Sequence, residues 1–112
     1  MNSGLQAEQW AAQHLQQQGL TLIAQNYRSR FGEIDLIMQD GKVLVFIEVR
    51  LRKNSDFGGA AASIDQRKQQ RIILTAQHYL ATLKQLPPCR FDTVLINKTD
   101  KKFEWLKNAF EA

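Results

Sequence analysis

At 112 residues the chain is long enough for one domain, taken as 1–112, and its 44% hydrophobic and 23% charged residues exclude the disordered and fibrous classes. Fifteen Lys and Arg against eleven Asp and Glu leave a formal charge of +4, which suits a polyanionic partner without requiring one. The single cysteine, Cys89, excludes an internal disulfide and a cysteine-rich metal site, and with neither a signal-like N-terminus nor an apolar run long enough to cross a bilayer, a cytoplasmic protein with no membrane partner is expected.

Ser3 followed by Gln6 resembles a capping box, and Leu5, Ala11, Ala12 and Leu15 recur at helical spacing up to Gly19, which predicts a first helix. Leu20 to Ala24 predicts a short strand that leads through Asn26, Tyr27 and Arg28 into a loop ending at Gly32. Residues 31 to 53, FGEIDLIMQDGKVLVFIEVRLRK, read as a hairpin turning at Asp40-Gly41, because Asp-Gly tolerates the positive φ that a tight type I′ turn needs. A Gly- and Ala-rich connection over Asn54 to Ala62 follows, and Ser63 with Gln66 predicts a cap. It opens a second helix with the apolar face Ile72, Ile73, Ala76, Tyr79, Leu80 and Leu83. Pro87 and Pro88 close the helical region, Arg90 to Ile96 alternates as a strand, Asn97 to Asp100 is a turn, and Phe103 to Leu106 supplies a last strand or edge. The order α-β-β-β-α-β-β predicts an α/β fold, a small mixed β-sheet flanked by helices.

The hairpin carries charges that the fold does not need. With Asp40-Gly41 as its loop, Gln39 faces Lys42, Asp35 faces Phe46 and Glu33 faces Glu48, so Glu33, Asp35, Glu48 and Arg50 emerge on one side. Ile34, Leu36, Met38, Val43, Val45, Ile47 and Val49 form the other, apolar side. Asp35 and Glu48 are then diagonal neighbours about 7–8 Å apart, within reach of one shared cation. The alternative is a solvated outer face with scattered charges. Glu8 shares the helical stripe of Ala11, Ala12 and Leu15 and so points at the sheet, and Lys68 heads the apolar stripe of the second helix.

His14 and His78 lack ligand spacing, which argues against zinc. Trp10, Tyr79, Phe91 and Trp105 read as packing residues, while Phe31 and Phe57 flank loop glycines. Asp92 in RFDTV is either a buried structural acid or a partner that supports the site from behind; the sequence leaves both open.

Asp35, then Glu48-Val49-Arg50 after a turn, with Glu8 on a preceding helix, resembles the PD-(D/E)XK nuclease superfamily. More closely, GEIDLI, VFIEVRLR, FGGAAASI followed by Lys68, and CRFDTVLI resemble the YraN-like family of predicted endonucleases, related to archaeal Holliday-junction resolvases, over nearly the whole chain. The resemblance implies a restriction-endonuclease-like fold and a metal-dependent endonuclease that hydrolyses DNA phosphodiester bonds, with branched or damaged DNA among its substrates. It places Glu8, Asp35 and Glu48 at the Mg²⁺ or Mn²⁺ positions and Arg50 where a lysine usually stands. A guanidinium keeps its proton, so Arg50 can orient phosphate or counter developing charge but cannot act as a base. Arg28, Arg30, Arg52, Lys53, Arg67, Lys68 and Arg71 flank the site as candidate contacts to a nucleic-acid backbone, with Glu33, Gln66 and Asp92 as candidate supporting residues. Related resolvases act as dimers, which implies a homodimer. The competing expectation is a nuclease-fold module that binds nucleic acid without hydrolysing it.

Overall fold

The computed structural model describes residues 3–52 and 64–112. Lys53, the connection over Asn54 to Ala62 with Phe57 in it, and the cap expected at Ser63 lie outside the described residues, as does the Ser3 side chain expected to cap the first helix.

Helix α1 runs Ser3–Gln17 and buries Ala7, Ala11, Ala12 and Leu15 against the sheet. Three of those four are alanines, so the helix axis can lie close to the strands beneath it. Leu5, expected on this stripe, is 49% exposed, and Ala7 takes the buried place instead. Gly19, at φ 101°, ends the helix in a Schellman-type cap in which the Leu20 N–H donates to the Leu15 carbonyl at 3.1 Å.

Strands β1 (Thr21–Ser29), β2 (Gly32–Asp40) and β3 (Val43–Arg52) form an antiparallel meander. The first strand is longer than expected and takes in Asn26, Tyr27 and Arg28, with Asn26 in the left-handed region at φ 53°. The hairpin register also differs from expectation. Asp40 pairs with Val43, which leaves Gly41-Lys42 as the loop, and Gly41 at φ 61° stands first in it, the requirement of a type II′ turn. Asp40 is drawn instead into an ion pair with Arg90 at 3.0 Å. A two-residue slip preserves the faces, so Leu36 still lies on one side with Val45 and Ile47. Ile34 is the exception, for it packs with Ile37 on the opposite side, and the alternation breaks at Asp35 between them.

Helix α2 (Gln66–Leu80) crosses over to β4 (Cys89–Asn97), which pairs parallel to β3, and β5 (Phe103–Phe110) closes the sheet antiparallel to β4. The strand order is β1-β2-β3-β4-β5, with α1 on one face and α2 on the other. The sequence expectation of element order and mixed sheet is met. The face that carries the hairpin charges is not a wet exterior, however: Ile37, Leu44, Phe46 and Phe91 bury there against Ile72, Ile73 and Ala76 of α2. The helix starts at the N-cap Asp65, whose Oδ1 accepts the Lys68 N–H at 2.8 Å, leaving Gln66 as an exposed first-turn residue. Asp65→Ala is expected to cost about 1 kcal/mol in urea denaturation, the usual worth of such a cap. The helix ends at Leu80, well before the prolines, where Thr82 and Leu83 bond back to Tyr79 and Leu80 in tighter turns.

Candidate functional site

The ladder between β2 and β3 runs from Asp40–Val43 to Leu36–Ile47, and beyond it the Val49 N–H donates at 2.8 Å to Oδ2 of Asp35. A side chain thus takes the place of a main-chain acceptor where the strands part. Into this gap α1 brings Glu8, whose polar neighbours there are Asn26 and Asp35. Carboxylate oxygens of Glu8, Glu33 and Asp35 all lie within 4.8 Å of one another.

Glu48 stands on β3 with only 7% of its surface exposed, and its Oε1 is 2.7 Å from the Lys68 ammonium. The two line a cavity of about 280 Å³ with Gly32, Glu33, Asp35, Arg71 and Ile72. The structure therefore gathers Glu8, Asp35, Glu48 and Lys68 as expected, with two changes in their arrangement. Glu33, expected as a supporting residue, belongs to the converging trio itself, while Glu48 stands outside that trio, held by Lys68. Arg50 lies two residues beyond Glu48 at the Leu95 step of the β3–β4 ladder and does not line the cavity, whereas Lys68, paired with Glu48, does.

So many acids in one place cannot all ionise cheaply. Burial first, and then the charges of Glu48, Glu8 and Glu33, push the Asp35 carboxyl up to about 8 against the pull of the Val49 N–H. Burial likewise raises Glu8, opposed by its polar neighbours Asn26 and Asp35. Oε1 of Glu8 is buried and has no hydrogen-bond partner among the described residues, an uncommon state for a carboxylate oxygen. Among the described residues Thr93 Oγ1 is also buried without a partner, and Thr93 pairs with Glu48 across the parallel ladder. Sequence reasoning passed over Asn26 and Thr93. For Asn26 a signal existed, since asparagine inside an otherwise strand-forming run is the residue that best tolerates left-handed backbone after glycine.

The basic candidates divide. Arg28, Arg30 and Arg71 line an open depression of about 470 Å³ that shares Gly32, Glu33 and Arg71 with the acidic cavity. There Arg28 pairs with Glu33 at 2.9 Å, and the Arg30 guanidinium lies 5.0 Å from the Phe31 ring centre. Arg52 turns instead to Glu104 of β5 at 3.3 Å, and Arg67 is exposed on the first turn of α2. Asp92 resolves as the buried structural acid. Both its oxygens bond Arg90, and they also accept the Trp105 indole N–H and the Asn108 N–H, each at 2.9 Å. Alternation along β4 sets it with Val94 and Ile96 on the α1 side, opposite Glu48 and Thr93.

The model of the uncharacterised protein family UPF0102 matches residues 7–96, which spans every element from α1 through β4. The chain belongs to the UPF0102 family. A UPF0102 protein of Psychromonas ingrahamii is 57% identical over 110 residues, covering 98% of this chain and 90% of its own length. A UPF0102 protein of Nitrosomonas europaea is 57% identical over 111 residues, with 98% and 94% covered, and one of a Janthinobacterium species is 54% identical over 110, with 98% and 88% covered. The YraN-like motifs are thus those of UPF0102 proteins, whose names state no activity. In this UPF0102 chain no helix among the described residues is long and apolar enough to cross a membrane.

Proposed function

We propose that this UPF0102 chain is a metal-dependent DNA endonuclease of the PD-(D/E)XK type, hydrolysing phosphodiester bonds in the cavity between β2, β3 and α2. What supports the reading above all is the convergence of Glu8, Glu33, Asp35 and Glu48 from three elements beside Lys68, next to a depression lined by Arg28, Arg30 and Arg71. The donor set fits a hard divalent cation: the ligands are oxygens, one is an unpartnered buried oxygen of Glu8, and their mutual repulsion is what a cation would relieve. Glu8, Glu33 and Asp35 would hold it, and Glu48 would join them on letting go of Lys68. Mg²⁺ or Mn²⁺ bound there supplies Lewis acidity at a phosphate oxygen and lowers the pKa of a water.

The chain's own residues supply the rest. Lys68 presents an ammonium beside Glu48, where it counters negative charge gathering on the phosphate. Arg71 stands between the two depressions and, with Arg30 and Arg28, holds flanking phosphates by charge and not by base identity. Such contacts weaken steeply with salt. Arg50 keeps the charge of its position without a lysine's capacity to act as a base, and Lys68 adds an ammonium from the neighbouring helix. A homodimer cutting two strands belongs to the same reading.

The test is nicking of supercoiled and branched DNA with Mn²⁺, Mg²⁺ or EDTA. Metal-dependent cleavage is expected, and Lys68→Ala should slow it roughly 100-fold, the scale of losing one charge-stabilising group. The same substitution should tighten Mn²⁺ binding, because it removes a competing cation from Glu48. Cleavage and metal affinity falling together would instead mark Lys68 as merely structural. Salt-dependent DNA binding with no cleavage under any metal would establish the non-hydrolysing module.

Calorimetry gives a second check. Below about pH 8 the cation must expel the proton that Asp35 holds, so Mn²⁺ affinity is expected to rise with pH from 6 to about 8 and then level off. An affinity that stays flat across that interval would contradict Asp35 as a ligand.

A further inference from the structure

We propose that the groove between α1 and the start of β5 is a separate binding site for an unpaired nucleotide of single-stranded nucleic acid. This groove encloses about 390 Å³ and is lined by Trp10, Gln13, His14, Gln17, Lys101 and Phe103. It continues over Trp10 and Lys101 toward Lys98 and Leu51. Glu8 faces β2 from the same helix, so α1 divides this groove from the acidic cavity.

Its chemistry matches the three parts of a nucleotide. Flat aromatic surface comes from His14 stacked on Phe103, with centroids 4.6 Å apart and planes within 2°, and from the Trp10 indole. Phosphate would meet Lys98 and Lys101, which line the groove and its continuation in a turn whose one acid, Asp100, accepts the Lys102 N–H. The carboxamides of Gln13 and Gln17 offer both donors and acceptors to a base edge. An acidic peptide would satisfy the lysines but would leave the ring faces and carboxamides unused.

Lys101 is the informative residue. Its backbone sits in the left-handed region at φ 63°, a conformation that costs a side-chain-bearing residue more than glycine. The turn itself needs only its N–H, which donates to the Asn97 carbonyl at 2.8 Å and would be present in any residue but proline. What lysine adds is an ammonium 4.4 Å from the centre of the Trp10 ring. That flexible cation can move onto a phosphate and leave the indole face to a base.

The site is tested by fluorescence anisotropy with the full chain in EDTA, where metal-dependent cleavage cannot contribute. The probes are labelled oligo-dU and oligo-rU of about twelve nucleotides, an abasic strand of equal length, and an oligo-glutamate of equal charge. At least one base-bearing strand should bind about 10-fold tighter than the abasic strand, the lower range for one stacked base, and the tighter of the two identifies the sugar. Lys101→Gly, which suits the left-handed backbone, should weaken that binding about 10-fold without lowering the melting temperature. Trp10→Ala should weaken binding of the base-bearing strand and leave the abasic strand unaffected. The proposal is overturned if the abasic strand or the peptide binds as tightly as the base-bearing strands, or if folded Lys101→Gly binds like the parent chain. None of these outcomes bears on cleavage at Asp35.

Discussion

Replacing Asp35 by Asn is expected to abolish metal-dependent cleavage while making the metal-free protein more stable at pH 8 and above. The isosteric amide can still accept the Val49 N–H that bonds Asp35 Oδ2, so local geometry has no reason to change. What disappears is a buried charge facing Glu48, Glu8 and Glu33. With the folded carboxyl near 8 and its ordinary value at 3.8, the folded chain keeps a proton that the unfolded chain has released throughout that interval. Stability of the parent chain therefore falls as pH rises from about 4 to about 8 and is level above it. Asp35→Asn removes that slope. The two proteins should melt alike near pH 4 and diverge by a few kcal/mol at pH 8, since each pKa unit corresponds to about 1.4 kcal/mol. Thermal melts in EDTA at several pH values read this directly. A variant that is less stable than the parent at pH 8 would mean that Asp35 anchors the strands more than it strains them.

The second large effect lies on the opposite face. Asp92→Ala removes the acceptor of the Trp105 indole N–H and the Asn108 N–H and takes from Arg90 both of its bonds to Asp92, leaving it the pair with Asp40. Breaking a buried pair by deleting one member costs about 3–5 kcal/mol, which for a chain of this size lowers the melting temperature by more than about 10 °C. The β4–β5 register shifts between Phe91 and Thr93, and the Asp92 carboxylate is what satisfies the Asn108 N–H in that irregular stretch. Fraying of β5 should accompany the loss, seen as faster amide exchange at Trp105 and Leu106. Cleavage by any fraction that remains folded should be preserved. A well-folded Asp92 variant without cleavage would return Asp92 to the site.

The sequence carried the element order because each segment announces itself locally: alanine and leucine at helical spacing before Gly19, alternation in both hairpin arms, prolines after the second helix. It carried Glu8 and Lys68 as candidates because each is a charge on an otherwise apolar helical stripe, and Asp35 and Glu48 because alternation sets them on one face of the hairpin. What it did not carry are pairings made across the chain. Asp40 looked like the first turn residue, but it ends β2 opposite Val43, with its carboxylate on Arg90, fifty positions on, and the loop is Gly41-Lys42. Arg50 looked like the cation of the site by its spacing from Glu48, yet the cation that lines the cavity beside Glu48 is Lys68 on α2. Ile34 looked like a partner of Leu36 until Asp35 broke the alternation between them. The two roles open for Asp92 could be separated only by its neighbours, Trp105 and Asn108, which belong to a strand whose pairing the sequence does not state.

Three alanines hold α1 against the sheet, and a glutamate side chain is short, so the thickness of that interface sets whether Glu8 reaches Asp35 at all. A methyl group added at Ala11 would act as a shim: the helix would ride outward, the stack of layers would survive, and the acid would stop short of its neighbours. The meeting of these acids therefore depends on side chains that carry no charge themselves.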